Sequence, residues 1–325
     1  MKKNSCLLLG LASILLTVSS PNVLASSTYP DRPIKLVVPF TPGGSTDFTA
    51  RLIGQKLSER IGQSIVIENK PGAGGAIGAS YAAKSAADGY TLFAGHVGTL
   101  SINPALYKRL SYEPATDFKP VAAMVTAPLV IVVNPKTDIT TVAQLIEKAT
   151  KAEHGLTFST AGAGSAAHLA SELFVSMTGI PATHVPYKGA SDATNAVVAG
   201  DVDFTFGGQA PSQPLITANR LRALAITAEK RSPRDMSLAV VAETVKGYEV
   251  QNWHGIVAPS AVPAEIINYL NKEINAILEM PEVRDTLVKH GYDTTPMSPA
   301  AFAQLIDKDR AKWKGVIDKA GLALD

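Results

Sequence analysis

The chain has 325 residues, 46% of them hydrophobic and 18% charged, with 30 Lys and Arg against 28 Asp and Glu for a formal net charge of +2. That length favours two domains once a leader is set aside. The near balance of charge, without a basic patch or a charge block, excludes a nucleic-acid-binding surface.

The N-terminus reads as an export signal. Lys2 and Lys3 precede an apolar run of 12 residues, Leu7 to Val18, and "VLA" supplies a small-residue cleavage site after Ala25. The run is well short of the ~20 residues that span a bilayer. Cleavage predicts a periplasmic protein of 300 residues with no net charge, because Lys2 and Lys3 leave with residues 1–25. Cys6, the only cysteine, leaves too, so the mature chain has no disulfide and no thiolate metal ligand.

Elements then alternate. "IKLVVPF" has the β-branched, apolar character of a buried strand, and a helix is predicted over Phe48–Ile61. Strand "SIVIEN", the glycine-rich turn "KPGAGGAIG", a small-residue helix to Ala87 and strand "YTLFAG" follow. The order β-α-β-α-β predicts a parallel sheet with helices on its faces. Asn103 to Met124, rich in proline and without periodicity, reads as a connection between domains. A second set comes next: strand "LVIVVNP", helix Val142–Ala152, strand "LTFSTA", helix Ser165–Met177, strand "THVPYKG", helix Ser191–Ala199, and strands "VDFTFG" and "LRALAIT". After the loop "EKRSPRDMS", helices are predicted over Ala264–Leu278, Glu282–His290 and Pro299–Ala320, with no sheet of their own. The prediction is therefore an α/β protein of two lobes joined by two crossings, a Venus flytrap. Residues 26–124 and 229–325 form lobe 1, and residues 125–228 form lobe 2.

Two turns carry the functional signal. "PFTPGGSTD" (Pro39 to Asp47) and "STAGAGSAAH" (Ser159 to His168) each join a strand to a helix, one in each lobe. Their glycines leave backbone amides accessible at a helix N-terminus, where the macrodipole is positive, and a small anion suits that environment. Ser165 can cap its helix or donate to a ligand. Asp47 is placed to favour its own helix dipole and to pair with Arg51 at i,i+4, or else to order the loop amides or receive an amino group from the ligand. His168 faces either the cleft or the core.

Other chemistries find no support. Gly162, Gly164 and Ala167 match a loosened dinucleotide fingerprint, but the acidic residue about 20 positions on is missing and the next strand ends with Lys188. The six histidines, at 96, 154, 168, 184, 254 and 290, show no metal-ligand spacing. Ser165 lacks a G-x-S-x-G elbow. No cofactor and no metal is predicted. The competing class is a secreted α/β enzyme acting on a small carboxylate in the same cleft.

The stretches "YPDRPIKLVVPFTPGGSTDFTAR", "ENKPGAGGAIG", "DGYTL", "INPALY", "STAGAGSAAHLA", "VPYKG" and "WHGIVAP" together resemble the Bug receptors, the substrate-binding proteins of tripartite tricarboxylate transporters. The resemblance runs in order from about Tyr29 to the C-terminal helices. It implies a two-lobed type II periplasmic receptor, not an enzyme, that closes on a small organic acid. The ligand would be a di-, tri- or aromatic carboxylate, delivered to membrane subunits of the transporter or presented to a sensor protein. Carried over to matching positions, the ligand-binding residues would be Phe40, Pro42, Gly43, Gly44 and Thr46 in the first loop. In the second they would be Ser159, Gly162, Gly164, Ser165 and His168. Tyr187 and Phe206 are further candidates for the pocket wall or for the core. Where family members often carry an acid after the strand "DVDFTFG", this chain has Gly207, Gly208 and Gln209. An uncharged edge with the Gln209 amide tilts the ligand away from amines.

Overall fold

The computed structural model describes residues 29–228, 230–231, 236–320 and 323. The leader and its predicted cleavage point lie outside the described residues.

In the first lobe, β1 (Ile34–Val38) leads into α1 (Ser45–Ile61), then β2 (Ile65–Asn69), α2 (Ala76–Ala83) and β3 (Thr91–His96). A π turn over Gly98–Ile102 and two one-turn helices, α3 (Asn103–Leu106) and α4 (Pro114–Asp117), reach the long strand β4 (Phe118–Pro128). The second lobe comprises β5 (Val130–Val133), α5 (Val142–Lys151), β6 (Leu156–Thr160), α6 (Ala166–Thr178) and β7 (Ala182–Pro186). It continues through α7 (Ala190–Ala199), β8 (Phe204–Gly207), α8 (Gln209–Thr217), β9 (Arg222–Ile226) and β10 (Ala239–Val240). The chain returns through β11 (Gln251–Pro259) and ends in α9 (Ala264–Leu278), α10 (Pro281–Lys289), β12 (Asp293–Thr294) and α11 (Pro299–Ala320).

Each lobe has one six-stranded sheet, ordered β12-β4-β11-β3-β1-β2 and β10-β9-β5-β8-β6-β7. The β-α-β stretches are parallel as their pattern predicts: β2, β1 and β3 in one lobe, β7, β6 and β8 in the other. The strands next to the crossings are antiparallel, β11 to β3 and β4, and β5 to β8 and β9. They arrive from the opposite lobe without a crossover helix, so the sheets are mixed. Ile34, Leu36 and Val38 of β1 pack in one core with Ile53 and Leu57 of α1 and with Leu270 and Ile274 of α9, while Val37 joins Ala79, Phe93 and Phe302 in a core on the other face. A strand covered on both faces explains the unbroken apolar run "LVV".

The stretch Asn103 to Met124 is more ordered than its prolines suggest, since most of β4 lies within it. Pro120 is tolerated there because the β4–β11 register shifts between Ile256 and Val257, leaving a bulge beside it. The first crossing is correspondingly later than residue 124, at Leu129 between β4 and β5. The return comes after β10, which still belongs to the second sheet, and not at residue 229. Thr227 ties the two crossings together: its hydroxyl accepts from the Leu129 amide (2.8 Å) and donates to the Val250 carbonyl (2.7 Å). Among the described residues no helix is long and apolar enough to cross a membrane.

Candidate functional site

Four helices point their N-termini at one pocket between the lobes. Ser45 and Thr46 open α1, Ala166 and Ala167 open α6, Ala190 opens α7, and Gly207 and Gly208 precede α8. The N-cap residues of α1, α7 and α8 are Gly44, Gly189 and Gly208, none of which supplies a side-chain cap. First-turn amides that a serine or aspartate would otherwise satisfy are left for a ligand. The fourth helix, α6, is capped by Ser165, whose Oγ accepts from the His168 amide at 3.2 Å. Its hydroxyl proton remains available to donate. Among the described residues no Lys, Arg, Asp or Glu lines the pocket, so the positive potential there comes from helix ends.

Helix α1 begins three residues before the predicted Phe48, at Ser45. Asp47 therefore sits in its first turn, with its side chain 3% exposed. One carboxylate oxygen accepts from the Gly43 amide and from Arg51 Nε, both at 2.8 Å, and the other from Asn69 Nδ2 at 2.9 Å. Asn69 also donates to the Phe40 carbonyl at 2.8 Å. Asp47 thus both pairs with Arg51 and orders the loop. Burial opposes its charge, but the hydrogen bonds from Arg51, Gly43 and Asn69 prevail and hold the carboxyl below its ordinary range.

The second loop is held from behind. His168 is buried, and its Nδ1 accepts from the Gly164 amide at 3.2 Å while Nε2 lies 3.5 Å from Glu172. Its ring stacks on His184, whose Nε2 meets Thr160 Oγ1 at 2.6 Å. Thr160 in turn accepts from the Gly162 amide at 3.1 Å and lines the pocket. Burial, reinforced by His168, lowers the His184 pKa to about 4.

The far wall is made where β3 and β11 pair. His96 and His254 stand directly opposite one another, and both line the pocket with Asn252, Phe40, Phe206 and Leu129. Phe40 packs on His96 with ring centroids 4.9 Å apart. Burial lowers both histidines to about 3, His96 with a smaller push from His254, so both are neutral near pH 7.

The lobes touch around this pocket. Tyr107 Oη donates to the Ala163 carbonyl at 2.9 Å and Thr41 Oγ1 to Asp192 at 3.2 Å. At Gly74 and Gly208 the approach leaves no room for a side chain: a Cβ would lie 1.7 Å from the Ala163 carbonyl oxygen and 1.8 Å from Ser45 Oγ, respectively. The cleft is closed.

Of the predicted residues, Phe40, Gly44, Thr46 and Ser165 line the pocket. Pro42 and Gly43 are exposed and outside the pocket lining, with Gly43 tied to Asp47 through its amide, and Gly164 and His168 brace the second loop. Ser159 is fully buried, donating to the Ala193 carbonyl at 2.8 Å, so it fixes α7 to β6. Gly162 and Tyr187 border a separate outer crevice with Gly72 and Gly74. Gln209 is the first residue of α8, and its side chain turns toward Gly291 and the Pro128 carbonyl, away from the pocket. Ser45, Thr160, Ala190, Thr205, Gly208, Asn252 and His254 line the pocket without having been singled out, as does His96. Gly189 and Gly208 carried a usable signal, a glycine between strand and helix like the first two. The β3 and β11 residues carried none, because their meeting depends on pairing between distant strands.

The family model described as the tripartite tricarboxylate transporter family receptor matches residues 49–322. The protein from the tcbD-tcbE intergenic region of Pseudomonas sp. (strain P51) is 36% identical over 307 residues, 94% of this chain and 91% of that one. Among solved structures, R. palustris Rpa4515 with adipate is 39% identical with a TM-score of 0.88, covering 91% of this chain and 99% of that chain. The periplasmic binding protein BugD is 32% identical with a TM-score of 0.87, with 91% and 99% covered. The fold is thus the two-lobed one of periplasmic binding proteins, and the chain belongs to the tripartite tricarboxylate transporter receptor family.

Proposed function

We propose that this protein is a periplasmic receptor that captures a small organic carboxylate between its lobes and delivers it to the membrane subunits of a tripartite tricarboxylate-type transporter. The observation that carries the reading is the convergence of four helix N-termini on a pocket that no charged side chain among the described residues lines. Backbone amides and the Ser165 hydroxyl would hold the carboxylate. Four hydrogen bonds to a charged group supply roughly 6–12 kcal/mol gross, against about 8 kcal/mol for micromolar binding. Arginine is not needed. Residues Phe40, Gly44, Ser45, Thr46 and Ser165 would contact the ligand, while Gly43, Gly164 and His168 keep the loops in shape. The adipate bound to Rpa4515 supports the ligand class. Export with cleavage after Ala25 completes the reading, and binding without chemical change distinguishes it from catalysis.

The test is to denature and refold the purified protein, which removes carried-over ligand, and to screen carboxylates by thermal shift. Ligand at 100 times its dissociation constant adds about 2.7 kcal/mol, which for a chain of this size raises Tm by roughly 5 °C. Bound ligand should be recovered unchanged. A screen in which no carboxylate raises Tm, or recovery of a transformed product, would overturn the reading.

A further inference from the structure

We propose that the closed pocket takes a ligand bearing a single negative charge, with its carboxylate at the helix N-termini and an uncharged O–H group, a hydroxyl or a protonated carboxyl, between His96 Nε2 and Asn252 Oδ1. The inference rests on the carboxylate-receptor reading and specifies the other end of the ligand.

His96 is 2% exposed. Its Nδ1 accepts from the Gly98 amide at 2.9 Å, which places the ring proton on Nε2. That nitrogen is buried without a partner. On β11, the Thr49 hydroxyl donates to the carbonyls of Ser45 and Thr46, at 3.2 and 3.1 Å, so His254 Nδ1 supplies the proton in its 3.1 Å contact with Thr49. His254 Nε2 is then the acceptor for Asn252 Nδ2 at 3.2 Å. This leaves Asn252 Oδ1, buried and unpartnered, as an acceptor. Asn252 is 7% exposed and two residues from His254, so it lies on the same sheet face as the opposed histidines.

The wall thus offers one donor and one acceptor with no cation beside them. An O–H oxygen answers both, accepting from His96 and donating to Asn252. A methyl group leaves both unpaired. An ionised carboxylate can only accept, and it sets its charge against Oδ1. The titratable groups facing the pocket are His96 on β3 and His254 on β11, and burial keeps both neutral above pH 5. Behind the loops stand Asp47 with Arg51 on α1, His168 with Glu172 on α6, and His184 on β7.

Calorimetry on the refolded, ligand-free protein tests the proposal with three linear series of about four to seven carbons: alkanoates, ω-hydroxyalkanoates and α,ω-dicarboxylates. At matched length the hydroxy acid should bind at least tenfold more tightly than the alkanoate, with the same affinity at pH 5.5 and 7.5. A dicarboxylate should take up one proton on binding, seen as a buffer-dependent enthalpy, and weaken about tenfold for each pH unit above ~5. The hydroxy acid measured over the same range separates this proton from any taken up by the protein itself. His96→Phe and, independently, Asn252→Leu should bring the ratio of hydroxy acid to alkanoate affinity toward one, while His96→Gln, which keeps an N–H donor, should retain most of it. A dicarboxylate that binds tightly at pH 7.5 without proton uptake, a ratio near one in the unmodified protein, or a ratio unmoved in both His96→Phe and Asn252→Leu would each overturn the single-charge subsite while leaving the receptor reading intact. Failure of all three series to bind would overturn this inference, whereas the receptor reading falls only if no carboxylate of the wider thermal-shift screen binds.

Discussion

Replacing Gly74 by alanine should uncouple ligand binding from folding. Gly74 lies in the turn before α2, and its Cα faces the second loop of the opposite lobe, where a Cβ would stand 1.7 Å from the Ala163 carbonyl oxygen and 2.8 Å from its carbon. Real Cβ atoms keep at least about 3.0 Å, so the loops must part by more than 1 Å. The obstacle is backbone on both sides and no rotamer change relieves it. Parting also breaks the hydrogen bond from Tyr107 to the same carbonyl. A ligand held from both lobes would then lose about half of its hydrogen bonds. Two charge-assisted bonds at ~1.5–3 kcal/mol each amount to a Kd raised by roughly 10²- to 10⁴-fold.

The comparison that isolates this effect is Gly62→Ala. Both glycines have left-handed backbone, φ 58° at Gly74 and 69° at Gly62, but Gly62 has nothing within 4 Å of its Cβ position. Each alanine should cost the fold about 1–2 kcal/mol in backbone strain. Only Gly74→Ala should weaken binding and keep the radius of gyration large when ligand is added, as read by calorimetry and small-angle scattering. Equal affinities in the two variants would show that closure does not bring Gly74 against Ala163, and the closed geometry would no longer be the binding one.

Ser165→Ala removes the cap of α6 and should cost about 1 kcal/mol of stability, with a further loss of ~1.5–3 kcal/mol in carboxylate affinity from the missing hydroxyl; a lowered Tm with unchanged Kd would confine Ser165 to capping. Asp47→Asn should destabilise the protein by a few kcal/mol at pH 7, because a buried carboxylate with a depressed pKa stabilises above its unfolded value of ~3.9 and loses that contribution as pH falls through the folded pKa. Denaturation curves of the two proteins should therefore converge in acid, and a gap that is constant with pH would contradict the assignment. His96 and His254, with folded pKa values of about 3 against ~6.5 unfolded, leave the fold undisturbed above pH 6.5 and destabilise it as pH falls. Each should cost roughly 2 kcal/mol by pH 5, and His96→Gln should flatten that dependence by about half if the two contribute alike.

Much of the site was legible because its chemistry is local. A strand that ends in glycine and passes into a helix announces bare amides, and "TPGGSTD" and "AGAGSAAH" both did so. The same pattern at Gly189 and Gly208 was harder to see. Helix α8 carries Pro211 in its first turn and Pro214 inside, and proline normally argues against a helix; read as a strand edge, "GGQAP" directs Gln209 to the pocket. Read as a helix start, it directs the amides there and turns the glutamine toward Gly291. The lobe boundary was misplaced for a related reason. Prolines made Asn103–Met124 look like a linker, while the bulge that lets Pro120 into β4 depends on a partner strand more than a hundred residues away.

The histidines show where sequence reading stops. Spacing tests ask whether residues on one element share a face, and His96 and His254 share one only through the β3–β11 ladder. That ladder joins β3, laid down before the chain leaves the first lobe, to β11, the strand on which it returns, so the far wall is set by how the chain re-enters the first lobe. Leu129, at the first crossing, is itself part of the pocket wall, and Thr227 binds it to Val250 at the second. The polar groups that face a ligand's far end are therefore carried by the first lobe, the helix N-termini that face its carboxylate by both, and the hinge forms the floor between them. A ligand of the wrong length or the wrong hydrogen-bonding pattern at His96 would hold the lobes apart at the same place where closure is driven, so selectivity and closure are expected to be one free-energy term rather than two.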